Sequence, residues 1–182
     1  VLAMPYAQIE PESLVPDLAG PFERQLLLKY ADLHLPVVLV DAPPDTPKLS
    51  SLSVDNPGAM NETYSRLSAL GHRRIAFLRR ISHTRKDVDA DSKERFAEFV
   101  QAGNRSALPG VQIAALNVCK DEGSSSPAFR ALFSALAGYS SVVCADGGLA
   151  GLCLEAARAR GWTVPRDLSV VAIQSHLAQN EI

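Results

Sequence analysis

Five short apolar runs recur along the chain, and this recurrence is the feature that most constrains its fold. The runs are Val37 to Val40, Arg74 to Leu78, Val111 to Leu116, Ser141 to Ala145 and Leu168 to Ile173. Most of their residues are β-branched or leucine, and continuous apolar character of this kind is typical of strands covered on both faces. Between the runs, apolar residues recur at helical spacing. The alternation predicts an α/β fold with a doubly wound parallel sheet.

The helical segments have recognisable ends. Asn56-Pro57 and Ser126-Pro127 each place a capping side chain before a proline that suits a first helical turn. Gly71 and Gly161 stand where left-handed C-caps are expected. The apolar residues of the predicted helices are Met60, Tyr64 and Leu67; Phe96, Phe99 and Val100; Phe129, Leu132, Phe133 and Leu136; and Leu149, Leu152, Cys153 and Ala156.

An earlier unit precedes these elements. It comprises a strand near Val1 to Met4, a helix around Phe22 to Leu33 and the run that ends at Asp41. The segment from Ala42 to Ser53 then follows, and its prolines make it a candidate for a crossing between two lobes.

Composition narrows the class of protein. The chain has 182 residues, of which 47% are hydrophobic and 21% charged, as in an ordinary soluble globular protein. No apolar run is long enough to span a bilayer, and the start lacks the layout of a signal peptide, so a cytoplasmic protein without a membrane partner is expected. The formal charge of −2 does not favour DNA binding by these residues.

Cysteine and histidine usage gives no sign of a cofactor or a metal. Cys119, Cys144 and Cys153 are odd in number and lie in apolar contexts, which indicates buried thiols rather than a disulfide framework. The four histidines show no metal-ligand spacing. A structural role is expected for His72, just before a strand.

Polar residues follow the apolar runs. They are Asp41, Arg79, Arg80, Asn117, Asp146, Gln174 and Ser175. Because the carboxyl ends of parallel strands line the ligand crevice of such sheets, these groups are expected to converge there. Carboxylates accept hydrogen bonds from hydroxyls and guanidinium groups donate to paired oxygens, so the edge suits a hydroxyl-rich or charged small molecule.

Three stretches together resemble one known family. They are Leu35 to Asp41, then Val54 to Ala59 followed by Leu70 to Phe77, and finally Gly161 to Val171. With the intervening pair Arg95 and Phe99, their order and intervals are similar to those of the lactose/galactose repressor (LacI/GalR) family of bacterial transcription regulators, from about Leu35 to Ile173.

The resemblance implies an effector-binding domain with a two-lobed fold like that of periplasmic sugar-binding proteins. Residues 1–53 would form part of the N-terminal lobe, which is incomplete in this chain, and residues 54–175 the C-terminal lobe; residues 176–182 would be a tail or the start of a return segment. A small-molecule effector, such as a sugar, a sugar phosphate or another polar metabolite, would bind between the lobes.

The resemblance also implies partners. Operator DNA would be bound only through a helix-turn-helix head before Val1, which this chain lacks. A homodimer is expected, and the apolar stripe of Leu149, Leu152 and Cys153 is a candidate contact, unless it only covers its own sheet.

The resemblance further implies site residues. Asp41 and Arg95 occupy positions that commonly contact the effector, and Asp146, Gln174 and Arg79 complete the candidate ligand-binding set. Each has a structural alternative: Asp41 could cap a turn and Arg95 could be solvated on an amphipathic helix. For Asp146 the preferred role is the N-cap of the helix that starts near Gly147, and Asp55 and Asn56 are likewise interpreted as capping and crossover residues.

The chain departs from the family at three places, and the first two mean that an ordinary pyranose need not be the effector. Ala145-Asp146 stands where the family usually has Asn-Asp, and Ala172 to Ser175 where it has Gly-Phe/Tyr-Asp-Asp. The basic stretch Arg79 to Lys86 replaces a short Gly/Pro loop. A solvated loop is the favoured interpretation of that stretch, and attraction of an anionic effector is the alternative.

Two rival functions remain open. A solute-binding protein of a transport system would share the two-lobed fold, whereas an enzyme finds little support because the chain has no nucleophile elbow, Walker loop or dinucleotide-binding fingerprint. The reading frame upstream of Val1 would discriminate, since a helix-turn-helix indicates a regulator and a signal peptide indicates transport.

Overall fold

The computed structural model describes residues 2–3, 21–34, 36–40, 49–81, 88, 90–106, 108–119 and 126–173. The chain folds into two compact units, and the boundary between them lies between Asp55 and Asn56. All the sheet pairing between named strands is parallel, as the alternation of strands and helices predicted.

The smaller unit contains a three-stranded parallel sheet. Its elements are β1 (Leu2–Ala3), α1 (Pro21–Asp32), β2 (Val38–Val40) and β3 (Ser50–Leu52), with strand order β1-β2-β3. Val37, Leu39 and Leu49 form its small core. The strand β3 corrects the expectation that the whole of 42–53 is a connection: Ser-Ser-Leu carries no apolar signal, and pairing with β2 makes it a strand.

The larger unit alternates helices with strands. Its elements are α2 (Asn56–Ala69), β4 (Arg74–Ile81), α3 (Ala90–Ser106), β5 (Gln112–Cys119), α4 (Pro127–Ala135) with a 3-10 turn at Leu136–Gly138, β6 (Ser141–Cys144), α5 (Gly147–Ala159) and β7 (Ser169–Ala172). The strand order is β5-β4-β6-β7. This is the α/β architecture that the sequence predicted.

The core of the larger unit centres on β4. Ile75, Ala76, Phe77 and Leu78 are fully buried because helices cover both faces of that strand. The ring of Phe77 lies 5.4 Å from that of Phe96. Burial of a side chain of this size contributes about 1.5–3 kcal/mol, so this continuous apolar run stabilises the sheet from its centre.

Three of the four predicted helix ends are confirmed; at the fourth, Asn56 is the first residue of α2, and its side chain bonds to Arg95 and Glu94. The Ser126 hydroxyl accepts a hydrogen bond from the backbone N–H of Phe129 at 2.9 Å, with proline at the start of α4. Gly71 and Gly161 adopt φ values of 88° and 70°, the left-handed region that favours glycine. After each glycine, the backbone N–H of the following residue donates a hydrogen bond to a carbonyl of the helix. For α2, the N–H of His72 donates to the carbonyl of Leu67 at 3.0 Å.

Two strands extend beyond their apolar runs. The pairing of β4 with β5 continues from Leu78 opposite Leu116 to Ile81 opposite Cys119. Arg79, Arg80 and Asn117 therefore lie within strands and not after them, because backbone pairing persists where the side chains become polar.

The apolar stripe on α5 serves its own unit. Leu149 and Cys153 are 0% exposed and belong to the core of the larger unit, and Leu152 packs against the same core. Leu149 and Cys153 therefore cover their own sheet, which is the alternative that the sequence left open, and of the stripe only the half-buried Leu152 retains surface for a second copy.

Within the described ranges, no helix has both the length and the apolar character that crossing a membrane requires.

Candidate functional site

The strand order of the larger sheet reverses between β4 and β6. From β4 the chain moves outward to β5 on one side, and then returns past β4 to β6 and β7 on the other. In open parallel sheets the ligand crevice lies at the carboxyl ends of the two strands where this reversal occurs. The end of β4 carries Arg79 and Arg80, and β6 is followed directly by Ala145 and Asp146. We call this region the switch-point edge.

An ion pair joins the two strands at the switch-point edge. Arg80 Nε donates to Asp146 Oδ2 at 2.9 Å, and Arg80 Nη2 donates to Asp146 Oδ1 at 2.8 Å. The side chains are 23% and 30% exposed, so the pair is only partly screened by water. A Cβ on Gly148 would lie 2.9 Å from Arg80 Nη2 and 3.1 Å from Asp146 Oδ1, so an alanine there would make the guanidinium shift. The pair thus covers the first turn of α5.

Asp146 also caps α5, as preferred from the sequence. Its Oδ1 accepts from the backbone N–H of Leu149 at 2.9 Å. Burial acts to raise the pKa of Asp146, but the hydrogen bonds from Arg80 and from the backbone of Leu149, with the charge of Arg80, outweigh burial and lower it. The carboxylate is therefore ionised at neutral pH, and Arg80 and the helix together occupy both of its oxygens.

Arg95 lies beneath the edge. It is 5% exposed, so the alternative that placed it in solvent is wrong. Its Nη1 donates to the carbonyl of Ala145 at 2.7 Å and its Nε to Asn56 Oδ1 at 3.1 Å. Asn56 in turn donates through Nδ2 to Glu94 at 3.0 Å. A contact between Arg95 and an effector stays a prediction.

Arg79 points to the other face of the sheet from Arg80, because successive side chains of a strand alternate. Its Nε donates to Asn117 Oδ1 at 3.1 Å, and its guanidinium lies 4.8 Å from the ring centre of Phe96 on α3. The two arginines that begin the basic stretch therefore have different partners: Asn117 and Phe96 for Arg79, and Asp146 for Arg80. Residues 82–87 of that stretch lie outside the described residues.

The structure thus brings Arg79, Arg95 and Asp146 of the candidate set to one edge, together with Arg80 and Asn117. Asp41 and Gln174 lie outside the described residues. Asn56 was missed as a partner of Arg95, since the sequence indicated only a capping role for it. The double arginine at the end of the predicted strand was the available signal for the ion pair of Arg80.

Two further expectations concern histidine and metals. His72 Nδ1 lies 2.9 Å from Ser140 Oγ, at the amino end of the sheet and far from the switch-point edge. Burial lowers the pKa of His72, which fits a structural role. Among the residues that the structure describes, no group of three or more His, Cys, Asp or Glu side chains could hold a metal ion.

Comparison with known proteins identifies the class of domain that this fold and edge define. The sequence model of the periplasmic binding protein-like domain matches residues 64–181. The chain therefore belongs to the periplasmic binding protein-like domain family, and its similar solved structures include LacI-family regulators, as the sequence resemblance predicted.

Three similar proteins illustrate this relation. A LacI transcriptional regulator from a Rhodococcus species has a TM-score of 0.60 at 22% identity, covering 84% of this chain and 54% of its own. A sugar-binding LacI-family regulator from Escherichia coli, complexed with phosphate, has a TM-score of 0.60 at 23% identity, covering 97% of this chain and 58% of its own. An HTH-type transcriptional regulator of Mycolicibacterium smegmatis is 48% identical over 45 residues, which are 25% of this chain and 12% of that protein. The chain spans about half the length of the solved structures it matches.

Proposed function

We propose that this chain is the effector-sensing and dimerisation domain of a bacterial DNA-binding transcription regulator that works in the cytoplasm. The observation that carries the proposal is the set of hydrogen-bonding side chains at the switch-point edge of a periplasmic binding protein-like domain. Partly exposed Arg79, Arg80, Asn117 and Asp146 lie at the position where sheets of this type bind small molecules.

The effector is a small polar or anionic molecule. Arg79, Arg95 and Asp146 are its proposed contacts at this edge, joined by Asp41 and Gln174 from outside the described residues. Ala145 offers no polar side-chain atom, and Gln174 offers a neutral amide instead of a carboxylate, so an ordinary pyranose fits poorly. The E. coli relative complexed with phosphate supports an anion as one possible class.

Ligand binding controls the regulator through linkage. An effector shifts a conformational equilibrium only as far as its affinities for the two states differ. At this edge the different states would be arrangements of the Arg80–Asp146 pair and of the first turn of α5, which the pair covers. In such a regulator operator DNA is bound by a separate helix-turn-helix head, so the shift must travel from the edge through the dimer to that head.

Calorimetric titration tests the ligand site. Matched pairs of a hexose and its phosphate, and of a polyol and its carboxylate, are titrated into the protein and into its Arg79→Ala and Asp146→Ala variants. Arg166→Ala is the control, since Arg166 is 74% exposed and pairs with Asp167 away from the edge.

We expect at least one member of these pairs to bind, with affinity reduced about tenfold or more in the edge variants, because a charge-assisted hydrogen bond contributes roughly 1.5–3 kcal/mol. The Arg166→Ala protein should bind like the wild type. Equal binding by all the variants would contradict the assigned contacts, and absence of binding by every compound would contradict the sensing role.

The dimer needs a surface other than the α5 stripe. Within the described sheet β5 is an edge strand, and its eight residues, Gln112–Cys119, carry no charge that would discourage pairing. We therefore assign the dimer contact to the β5 side. Sedimentation equilibrium at micromolar concentration should give a dimer. The Ala115→Lys substitution places a charge in β5 and should shift the protein to monomer. A monomer in the wild-type protein would refute dimerisation.

A further inference from the structure

Two cysteine thiols lie in contact directly below the switch-point edge. Cys144 is the last residue of β6, and Cys153 lies in α5, which follows it. Their Sγ atoms are 3.9 Å apart, and both side chains are 0% exposed. A disulfide has an S–S separation of about 2.05 Å, so bond formation requires the two sulfurs to approach each other from their present van der Waals contact.

We propose that Cys144 and Cys153 form an oxidisable dithiol site, which a hydroperoxide converts reversibly into an intrachain disulfide. The thiolate of one cysteine attacks an oxygen of the O–O bond; the bond breaks, giving a sulfenic acid and an alcohol or water. The second thiol then attacks the sulfenic sulfur, forms the S–S bond and expels water. The two cysteines lose two electrons and two protons, which the hydroperoxide takes up, and a small dithiol reverses the change.

The closed structure protects this site from reaction. The hydrogen bond to Cys153, burial and the negative charge of Asp146 all raise the pKa of the Cys144 thiol well above its usual range. Since the thiolate is the reactive form, the thiols react only when the surrounding structure opens. Oxidation is therefore gated by local unfolding and is slow in the closed state.

The start of α5 is built to open locally. Gly147, Gly148 and Gly151 fall within its first five residues, and glycine is among the poorest helix formers. A Cβ on Gly148 would displace the Arg80 guanidinium, whereas a Cβ on Gly151 would meet nothing within 4 Å. The weakness at Gly151 is thus not imposed by packing, and it lowers the free energy of opening the turn that covers the thiols.

The partner thiol decides the product. When α5 closes again after a sulfenic acid has formed on either cysteine, the other sulfur lies against it and water-borne oxidant is excluded, so disulfide formation outpaces a second oxidation. The new bond would join β6 to α5 across Asp146, which lies between them in the chain. Oxidation would therefore alter the placement of Asp146 against Arg80 at the switch-point edge.

Peptide mapping after treatment with hydrogen peroxide tests the proposal. The native protein and a Cys119→Ser variant, which removes the third thiol, are oxidised, alkylated and digested. We expect a disulfide-linked peptide pair containing Cys144 and Cys153 in both proteins, and its loss after reduction. Three results would each overturn the proposal. They are a disulfide that requires Cys119, sulfinic acid on cysteines that are not linked, and no oxidation of the native protein at peroxide concentrations that oxidise the urea-unfolded chain.

Gly151→Ala tests the gate without changing either thiol. It should slow disulfide formation in the native protein by about fivefold, the factor by which alanine favours the helix over glycine, and leave the rate in urea unchanged. An equal native rate in the two proteins would show that the opening of α5 does not control access, and would overturn the gating mechanism.

Discussion

Replacement of Arg95 by alanine should destabilise the larger unit strongly. The guanidinium is 5% exposed and donates to the Ala145 carbonyl and to Asn56 Oδ1. Ala145 is 1% exposed and Asn56 is 6% exposed, so water cannot easily replace the lost donors. The substitution therefore leaves two buried acceptors without these bonds and also removes the packing of the aliphatic stem.

The expected magnitude follows from those two acceptors. Leaving one buried polar group unsatisfied costs about 1–3 kcal/mol, so the two acceptors predict that Arg95→Ala lowers the free energy of unfolding by about 2–6 kcal/mol. Arg95→Lys keeps a cation but cannot donate to both acceptors as a planar fork, so it should lose an intermediate amount. Urea titration followed by the fluorescence of Trp162, whose ring lies 5.2 Å from that of Phe133, reports the unfolding of this unit.

Arg166→Ala provides the matched control, because its side chain is 74% exposed and should contribute within about 0.5 kcal/mol. A loss for Arg95→Ala no larger than that of the control would refute the assignment of Arg95 as a structural link between α3, α2 and the end of β6. In that case its buried hydrogen bonds would not stabilise the fold, and a role in ligand binding would be favoured.

Two further predictions concern the start of α5. Because the pKa of Asp146 is lowered in the fold, its stabilising contribution is present above the unfolded value of 3.8 and is lost as the pH falls through the folded pKa. The difference in unfolding free energy between the wild type and Asp146→Asn should therefore be constant near neutral pH and narrow below pH ~4, and a constant difference down to acid pH would contradict the shift. Gly151→Ala should raise the unfolding free energy by about 0.5–1 kcal/mol, because its Cβ meets nothing. Gly148→Ala should lower it, since its Cβ would approach Arg80 Nη2 to 2.9 Å; thermal melts that rank the two variants the other way would contradict the contact.

Much of the fold follows from the sequence because its strands are buried on both faces. Continuous apolar runs such as Arg74 to Leu78 admit few alternatives, and the glycines at 71 and 161 mark helix ends that only a left-handed residue can make. The strand at Ser50–Leu52 could not be predicted, because it is stabilised by its pairing with β2 and not by its own side chains. The ends of β4 and β5 were missed for the same reason.

The candidate site was only partly predictable. The positions of Arg79 and Asp146 at strand ends follow from topology, and the capping role of Asp146 follows from its place before a helix. The hydrogen-bond partners of these side chains could not be predicted. Arg95 bonds to Asn56 because α2 and α3 pack side by side, and the spacing of the residues in the sequence does not indicate that contact. Likewise Arg80 meets Asp146 only because β4 and β6 are neighbours although β5 lies between them in the chain.

The Arg80–Asp146 pair itself should contribute measurably to stability, and a double-mutant cycle isolates its contribution. Two charge-assisted hydrogen bonds join the side chains, and their exposures of 23% and 30% place the pair between surface and buried ion pairs. We expect a coupling free energy of about 1–2 kcal/mol between Arg80→Ala and Asp146→Ala, more than the 0–1 kcal/mol of a surface pair and less than the roughly 3–5 kcal/mol of a buried one. Asp146→Ala should cost more than Arg80→Ala, because it also removes the cap on the Leu149 N–H, but the cycle cancels that difference.

Half-molar salt should reduce the coupling only in part, since the pair is partly shielded from solvent. A coupling near zero at low salt would mean that Arg80 does not hold Asp146, and the carboxylate would then be available to a ligand without displacement of the arginine.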